Sequence, residues 1–159
     1  MIKPVKTNAM RALETNKIPY ETSCYEVDES DLSGVHVASV LGIPNEVVFK
    51  TLVAKNDKGE ARVYVIPVAE ELDLKKCAVA SKDKRIELIA VKELLPLTGY
   101  IRGGCSPIGM KKKFPTYIDE TAILWDTIYV SAGMRGQQII VNPNALKDFL
   151  SANYADLTK

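Results

Sequence analysis

Apolar and polar positions along the first part of the chain predict two short helices with a strand between them. Thr7 is positioned to cap the first helix, and Asn16 is positioned to end it. Residues 20–27 are rich in β-forming side chains and predict a strand. The acidic residues 28–31 offer N-caps for the second helix, and Gly42 is typical of a helix end.

The pattern changes to β in the middle of the chain, where residues 47–54 and 61–67 form two β-rich runs. Between them, residues 56–59 read Asn-Asp-Lys-Gly, a composition that favours a hairpin loop and therefore antiparallel pairing. Helical patterns follow at residues 72–80 and 89–95, and the second pattern ends before a proline.

The C-terminal third predicts three more strands and a closing helix. The strands are predicted at residues 117–119, 127–131 and 138–141, and a glycine-containing turn at 132–136 joins the last two. The sequence Asn-Pro-Asn at residues 142–144 then begins the helix.

This arrangement of elements predicts an α+β fold with a curved, mostly antiparallel sheet. Short strands linked mainly by hairpins, with helices inserted unevenly, do not fit strict βαβ alternation. No repeat or linker divides the chain, and 159 residues is the usual size of one domain. We therefore expect residues 1–159 to form a single domain.

Composition excludes several kinds of chemistry but does not point to a particular one. The chain is 47% hydrophobic and 26% charged, and its formal net charge is +1, far from the balance of proteins that hold nucleic acid by charge alone. The three cysteines, Cys24, Cys77 and Cys105, lack disulfide or zinc spacing. With only one histidine and scattered carboxylates, no metal site is predicted, and we expect no cofactor.

The N-terminus and the longest apolar runs bear on where the protein acts. The start of the chain, Met1, Ile2, Lys3 and Pro4, has no apolar run of signal length, and no run elsewhere reaches membrane-span length. We therefore expect a cytoplasmic protein with no membrane partner.

The most unusual segment is the glycine-rich loop, defined here as residues 103–109, which contains three glycines and a proline. Glycines allow backbone N–H groups to approach a carbonyl oxygen or a phosphate closely. The alternative is a tight structural turn, because glycine and proline occur in loops of all kinds. The loop matches neither a P-loop nor a dinucleotide-binding fingerprint.

Lys50 lies within an apolar strand and shares a face with Val48 and Leu52. A lysine in this position is either an edge-strand charge that discourages aggregation or a cation held for a ligand oxygen. The strand pattern alone leaves both interpretations open.

Cys105, in the glycine-rich loop, suggests a nucleophile, since a backbone-rich turn lowers a thiol pKa and supplies an oxyanion hole. The general base is missing from this interpretation, because the only histidine, His36, lies in a predicted helix where a structural role fits equally well. We do not expect a Cys–His hydrolase.

A basic run, Lys111, Lys112 and Lys113, directly follows the glycine-rich loop. Three adjacent lysines beside a pocket could meet the phosphates of a nucleic-acid end, although such a run is more often a solvated surface. No sequence-specific RNA-binding signature accompanies it.

Several segments in family order together resemble the YbaK/EbsC family of aminoacyl-tRNA deacylases. The most specific are a Lys-Thr-Leu strand, a Gly-Gly-x-Ser-Pro-x-Gly loop and a Tyr-Val-Ser-x-Gly-x-Arg-Gly hairpin. In this chain they occupy Lys50, Thr51 and Leu52; Gly103, Gly104, Ser106, Pro107 and Gly109; and Tyr129, Val130, Ser131, Gly133, Arg135 and Gly136.

The resemblance implies a mixed, barrel-like sheet with surrounding helices, related to the editing domain of some bacterial prolyl-tRNA synthetases. It also implies trans-editing of mischarged tRNA, typically cysteine on proline tRNA, with prolyl-tRNA synthetase as a candidate partner. The substrate's own thiol is thought to attack its ester carbonyl, so that no protein nucleophile is needed.

The same resemblance implies the site residues. The expected catalytic groups are Lys50 and the backbone of Gly103, Gly104 and Cys105. The expected substrate-binding residues are Tyr25, Ser106, Pro107, Lys111, Lys112 and Lys113.

One departure from the family pattern, at Gln138, leaves the preferred substrate open. An aspartate that some family members carry after the hairpin corresponds here to Gln138, which leaves the preferred amino acid open. The alternatives are a deacylase for another small amino acid such as alanine, and a non-catalytic module that binds aminoacyl-tRNA or a peptide.

Overall fold

A computed structural model describes residues 4–159 of the chain. Residues 1–3, which contribute to the expectation that there is no signal segment, lie outside the described residues. Five helices of eight residues each are present in this range: α1 (Asn8–Thr15), α2 (Gly34–Leu41), α3 (Leu74–Ser81), α4 (Val91–Thr98) and α5 (Pro143–Leu150). Eight strands accompany them: β1 (Tyr20–Cys24), β2 (Phe49–Asn56), β3 (Ala61–Pro67), β4 (Ile86–Leu88), β5 (Thr116–Asp119), β6 (Ile128–Ser131), β7 (Gln137–Val141) and β8 (Asn153–Ala155).

The strands form two sheets that meet along β2 and β6. The first sheet has the order β1-β7-β6 and is antiparallel throughout. The second has the order β4-β2-β3-β5-β8; its pairs around β2 are antiparallel, and the pairs of β5 with β3 and β8 are parallel. A parallel bridge between Val48 and Tyr129 joins the two sheets. The α+β class and the mostly antiparallel pairing are confirmed, whereas residues 4–159 contain no closed barrel.

Local sequence signals account for the best-predicted elements. The β2–β3 hairpin turns at residues 56–59, where Gly59 has a φ of 77°, a conformation that favours glycine. The side chain of Thr7 accepts a hydrogen bond from the Met10 amide and caps α1, as predicted. Asn142 caps α5 in the same way through the Ala145 amide.

Two boundaries near the N-terminus differ from the predictions. The strand predicted at residues 20–27 ends at Cys24, and α2 is capped by Ser33 rather than by an acidic residue. The carboxylates before α2 instead bind nearby amides: Asp31 accepts from the Ser33 N–H. These short contacts form a turn ahead of the helix rather than its cap.

Helix α4 continues through Pro96, where the sequence predicted its end. Proline removes one main-chain donor. The last turn is held by other bonds, because the Thr98 hydroxyl donates to the Leu94 carbonyl at 2.7 Å and the Gly99 amide donates to the Leu95 carbonyl at 2.8 Å. Strands β4 and β8 were not predicted, since three residues are too few to give an alternating pattern.

The largest core cluster fixes the glycine-rich loop to the body of the protein. It lies between α1, α5 and strands of both sheets, and Ile108 of the loop is completely buried in it. The loop is therefore anchored at one end by apolar packing. Buried members of this core include Ala9, Met10, Leu13, Phe49, Val65, Ile108, Ile118, Ile128, Val130, Ile139, Val141 and Leu146.

Candidate active site

A cavity of about 520 Å³ lies between strand β2, the segment that leads into α2, the start of α4 and the glycine-rich loop. Its volume falls within the range typical of small-molecule sites. Its polar lining includes Ser30, Asp31, Ser33, Lys50, Thr51, Arg102, Ser131 and Gln138, and its main-chain lining includes Gly34 and Gly103.

Lys50 contributes the ammonium group of the cavity. It lies on β2 opposite Ile66 of β3, it is half-buried, and its side chain forms no hydrogen bond or ion pair within residues 4–159. Burial lowers the pKa of Lys50, and the carboxylates of Glu71 and Glu70 oppose this shift. A partly desolvated cation without a protein partner is suited to bind an oxygen of a ligand.

The glycine-rich loop forms another part of the cavity lining. Gly103 has a φ of 84°, and the Gly104 amide donates to the Ile101 carbonyl at 2.9 Å. Gly103 and Cys105 both line the cavity, and within residues 4–159 neither of their amides has a hydrogen-bond partner. A turn already uses the Gly104 N–H, so of the three amides in the predicted set only those of Gly103 and Cys105 lack a partner within residues 4–159.

Gly104 instead permits close packing of the loop on the β6–β7 hairpin. A Cβ atom added at Gly104 would lie 3.1 Å from the Arg135 nitrogen and 3.2 Å from the Met134 Cα atom. Only a residue without a side chain fits at this separation without a shift of the main chain. The hairpin thus fixes the position of the loop.

Two residues that line the cavity, Thr51 and Gln138, each have a buried side-chain oxygen without a partner; the sequence singled out only Gln138, as a position that bears on the preferred amino acid. Thr51 Oγ1 and Gln138 Oε1 are both buried, and neither has a hydrogen-bond partner within residues 4–159. Such groups are normally satisfied in native proteins. Because both oxygens are buried, a ligand donor in the cavity would reach either one only after its side chain rotates. The strand pattern gave no signal for Thr51 beyond its place next to Lys50.

The family-model comparison covers the segments that build this cavity. Residues 33–149 match the model of the aminoacyl-tRNA editing domain. The chain belongs to this family. The matched region of the editing domain contains Lys50, the glycine-rich loop and the β6–β7 hairpin, whereas Tyr25 precedes it.

Similar proteins support the same assignment over nearly the whole chain. A protein of Enterococcus faecalis, named as a candidate Cys-tRNA(Pro)/Cys-tRNA(Cys) deacylase, EbsC, is 49% identical over 153 residues, which cover 96% of this chain and 93% of the relative. The predicted resemblance to the YbaK/EbsC family is confirmed.

Two crystal structures share the fold. One, of a candidate trans-editing enzyme for prolyl tRNA synthetase, is 24% identical, with a TM-score of 0.79 over 96% of this chain and 98% of that one. The other, of a hypothetical protein, is 19% identical, with a TM-score of 0.85 over 94% of this chain and 97% of that one.

The thiol of Cys105 in this editing domain is not positioned as a nucleophile. Burial raises its pKa to about 12, so the thiol is protonated at neutral pH. His36 is absent from the cavity lining, and its Nδ1 atom lies 3.7 Å from an Asp31 carboxylate oxygen. No imidazole therefore serves as a base for Cys105.

Of the other predicted binding residues near the cavity, Tyr25 lines it, whereas Ser106 and Pro107 do not. Tyr25 lines the cavity, and its amide donates to the Gly136 carbonyl at 3.0 Å. Ser106 is completely buried, and its hydroxyl oxygen accepts from the Ile108 amide at 3.2 Å. Ser106 and its buried neighbour Pro107 are absent from the cavity lining and hold the shape of the loop instead.

The basic run lies outside the cavity. Lys111, Lys112 and Lys113 are all exposed. The Lys111 ammonium donates to the Pro96 carbonyl at 3.3 Å, and the Lys113 ammonium donates to the Ser151 hydroxyl at 3.1 Å. The run is therefore a surface feature whose side chains spread toward the ends of α4 and α5.

Residues 4–159 contain neither a candidate metal site nor a candidate membrane-spanning helix. Within residues 4–159 no group of three His, Cys, Asp or Glu side chains is arranged to hold a metal ion. No helix in the same range is both long enough and apolar enough to cross a membrane.

Proposed function

We propose that this editing domain is a trans-editing deacylase that releases a wrongly attached amino acid, first of all cysteine from proline tRNA. The observation that carries the proposal is the pairing of an unpartnered cation, Lys50, with the unpartnered amides of Gly103 and Cys105 across one cavity. Groups of this kind stabilise negative charge that develops on an ester oxygen. The name of the Enterococcus faecalis relative supports cysteine as the amino acid.

The chemistry requires positioning more than a protein nucleophile. An aminoacyl ester is already activated, so a bound geometry that favours attack supplies much of the acceleration. In the proposed reaction the cysteine thiol attacks its own ester carbonyl, the bond to the ribose oxygen breaks, and the thiol proton passes to that oxygen. Water then opens the cyclic thioester and releases free cysteine.

Rotation of the Thr51 or Gln138 side chain toward the cavity would bring an unpartnered oxygen to the amino end of the substrate. An α-ammonium group has three donors and no acceptor, so it matches acceptors that lack a donor. Gln138 offers a neutral carbonyl oxygen there, which gives a weaker hydrogen bond to a cation than a carboxylate would. We therefore propose that cavity shape, rather than charge alone, discriminates between amino acids.

Selection of the tRNA is proposed to come largely from a partner. The net charge is only +1, and few phosphates can be neutralised by one run of three lysines. We propose that Lys111, Lys112 and Lys113 guide the acceptor end, that prolyl-tRNA synthetase supplies tRNA discrimination, and that residues 1–159 act as one cytoplasmic domain. Added synthetase should then improve discrimination between tRNAs that carry the same amino acid.

A panel of charged tRNAs tests the proposal. We expect the protein to deacylate cysteinyl-tRNA(Pro) faster than alanyl-tRNA(Pro), and to leave prolyl-tRNA(Pro) intact. Loss of alanine in preference to cysteine would identify the alanine deacylase instead. Binding of charged tRNA without loss of any ester would support a non-catalytic module and contradict the proposed function.

A further inference from the structure

Arg135 connects the glycine-rich loop to the segment that leads into α2. It lies in the turn between β6 and β7, its Nε donates to the Arg102 carbonyl at 2.9 Å, and its Nη1 donates to a Glu29 carboxylate oxygen at 2.9 Å. The guanidinium is partly buried, whereas the Glu29 carboxylate is exposed. Both hydrogen bonds lie at the protein surface, and an exposed ion pair such as Arg135–Glu29 contributes little to stability.

The guanidinium group also packs over Gly103. A Cβ atom added at Gly103 would lie 3.2 Å from Arg135 Nε and 3.4 Å from the Leu32 Cβ atom. Gly103 thus lies between the arginine side chain and the loop that precedes α2. Movement of the Arg135 side chain would therefore displace the peptide group that joins Arg102 to Gly103.

That peptide group carries both the hydrogen bond to Arg135 and a main-chain donor of the cavity. The Arg102 carbonyl, which Arg135 binds, and the Gly103 N–H, which has no partner within residues 4–159, are two ends of one conjugated unit. A charge-assisted bond to the carbonyl withdraws electron density from the nitrogen and makes its N–H a stronger donor.

We infer that Arg135 is a positioning residue that fixes and polarises the Arg102–Gly103 peptide, so that the Gly103 amide binds the developing oxyanion more strongly. The inference rests on the proposed deacylase function. Arg135 acts only through the peptide group, and its benefit is greatest when negative charge is greatest, which is in the transition state.

The experiment compares Arg135→Met, which keeps aliphatic packing over Gly103 and removes the guanidinium, with Glu29→Gln, which removes only the exposed ion pair. For Arg135→Met we expect kcat on cysteinyl-tRNA(Pro) to fall about 10-fold, less than the 10²–10³-fold typical when an oxyanion donor is deleted, with KM nearly unchanged. Glu29→Gln should retain kcat. Methylguanidinium should restore part of the lost rate in Arg135→Ala.

A spectroscopic measurement separates this inference from the proposed function. Loss of the hydrogen bond to the Arg102 carbonyl should move the Gly103 amide ¹⁵N resonance upfield in Arg135→Met, while Gly59 in the distant β2–β3 turn is unaffected. This shift is measurable whether or not the protein deacylates tRNA, and thermal unfolding shows that the variant is folded.

The outcomes distinguish the two claims. A wild-type protein without deacylase activity would refute the proposed function, and an unmoved Gly103 resonance would refute polarisation by Arg135. If wild type is active and Arg135→Met keeps its kcat, only the inference fails. An equal loss of kcat in Glu29→Gln would also overturn it, because the effect would then belong to the ion pair.

Discussion

The two sides of the cavity are built in opposite ways. Strand β2 presents the side chain of Lys50, whose direction is set by the pairing of β2 with β3. The glycine-rich loop presents main-chain amides, and their positions depend on close packing against the β6–β7 hairpin. On the strand side, truncation of a side chain should therefore lower activity. On the loop side, addition of a side chain should lower activity.

The largest effect is expected on the strand side. Lys50→Ala should lower kcat by roughly 10²–10³-fold, because it removes the cation proposed to meet the reacting ester. Since burial already disfavours the Lys50 charge, as its lowered pKa indicates, the thermal unfolding midpoint should change little. Lys55→Ala, on the same strand but outside the cavity, is the matched control. Near-wild-type turnover by Lys50→Ala would exclude the proposed role.

A smaller loss is expected when the loop side gains one methyl group. Gly104→Ala should lower kcat by about 10-fold, because displacement of a reacting group by a fraction of an ångström costs much of its catalytic advantage. The control is Gly59→Ala, where the added atom meets nothing within 4 Å and only the backbone conformation is unfavourable. Equal kcat values for both variants would show that hairpin packing does not position the loop.

The basic run should affect binding rather than the chemical step. Reversal of Lys111, Lys112 and Lys113 to glutamate should raise KM several-fold more than it lowers kcat, since these lysines lie outside the cavity. Steady-state kinetics at two salt concentrations would measure this, with a stronger effect at low salt. The control reverses an equal number of exposed basic residues elsewhere, namely Lys82, Lys84 and Arg85. Unchanged kinetics in the first variant would remove the run from the binding surface.

The smallest effect on kcat is expected from substitution of Cys105. Cys105→Ala should keep kcat within about twofold, because a thiol with a pKa of about 12 is not ionised at neutral pH, and the proposed reaction uses only the Cys105 amide. Wild-type Cys105 should also resist alkylation by iodoacetamide at pH 7. Trapping of an acyl-enzyme on Cys105 would reverse this assignment.

The sequence predicted site residues only where the local signal was strong. The cation on an apolar strand and the cluster of glycines are both visible in the printed sequence, and Lys50 and Gly103 line the cavity. The unpartnered state of Thr51 and Gln138 depends on which segments meet in three dimensions. The hydrogen bond from the Gly104 amide to the Ile101 carbonyl is local, but the residue types alone do not specify that turn. A strand pattern carries no information about hydrogen bonds that are left unmade.

The same distinction applies to the fold. Hairpins with a clear turn composition, such as residues 56–59, were predicted correctly because the signal is local. The parallel pairing of β5 with β3 and β8 joins segments far apart in sequence, and no local pattern encodes it. The path of α4 through Pro96 depends on side-chain and main-chain bonds that replace the missing donor.

The central claim is that the cavity positions an ester for attack by the substrate's own thiol. It is tested most directly by single-turnover deacylation with excess wild-type protein, comparing cysteinyl-tRNA(Pro) with the S-methylcysteinyl form, whose thiol is blocked. The account predicts that the blocked substrate is released about 100-fold more slowly or not at all. Release of both substrates at the same rate would contradict it.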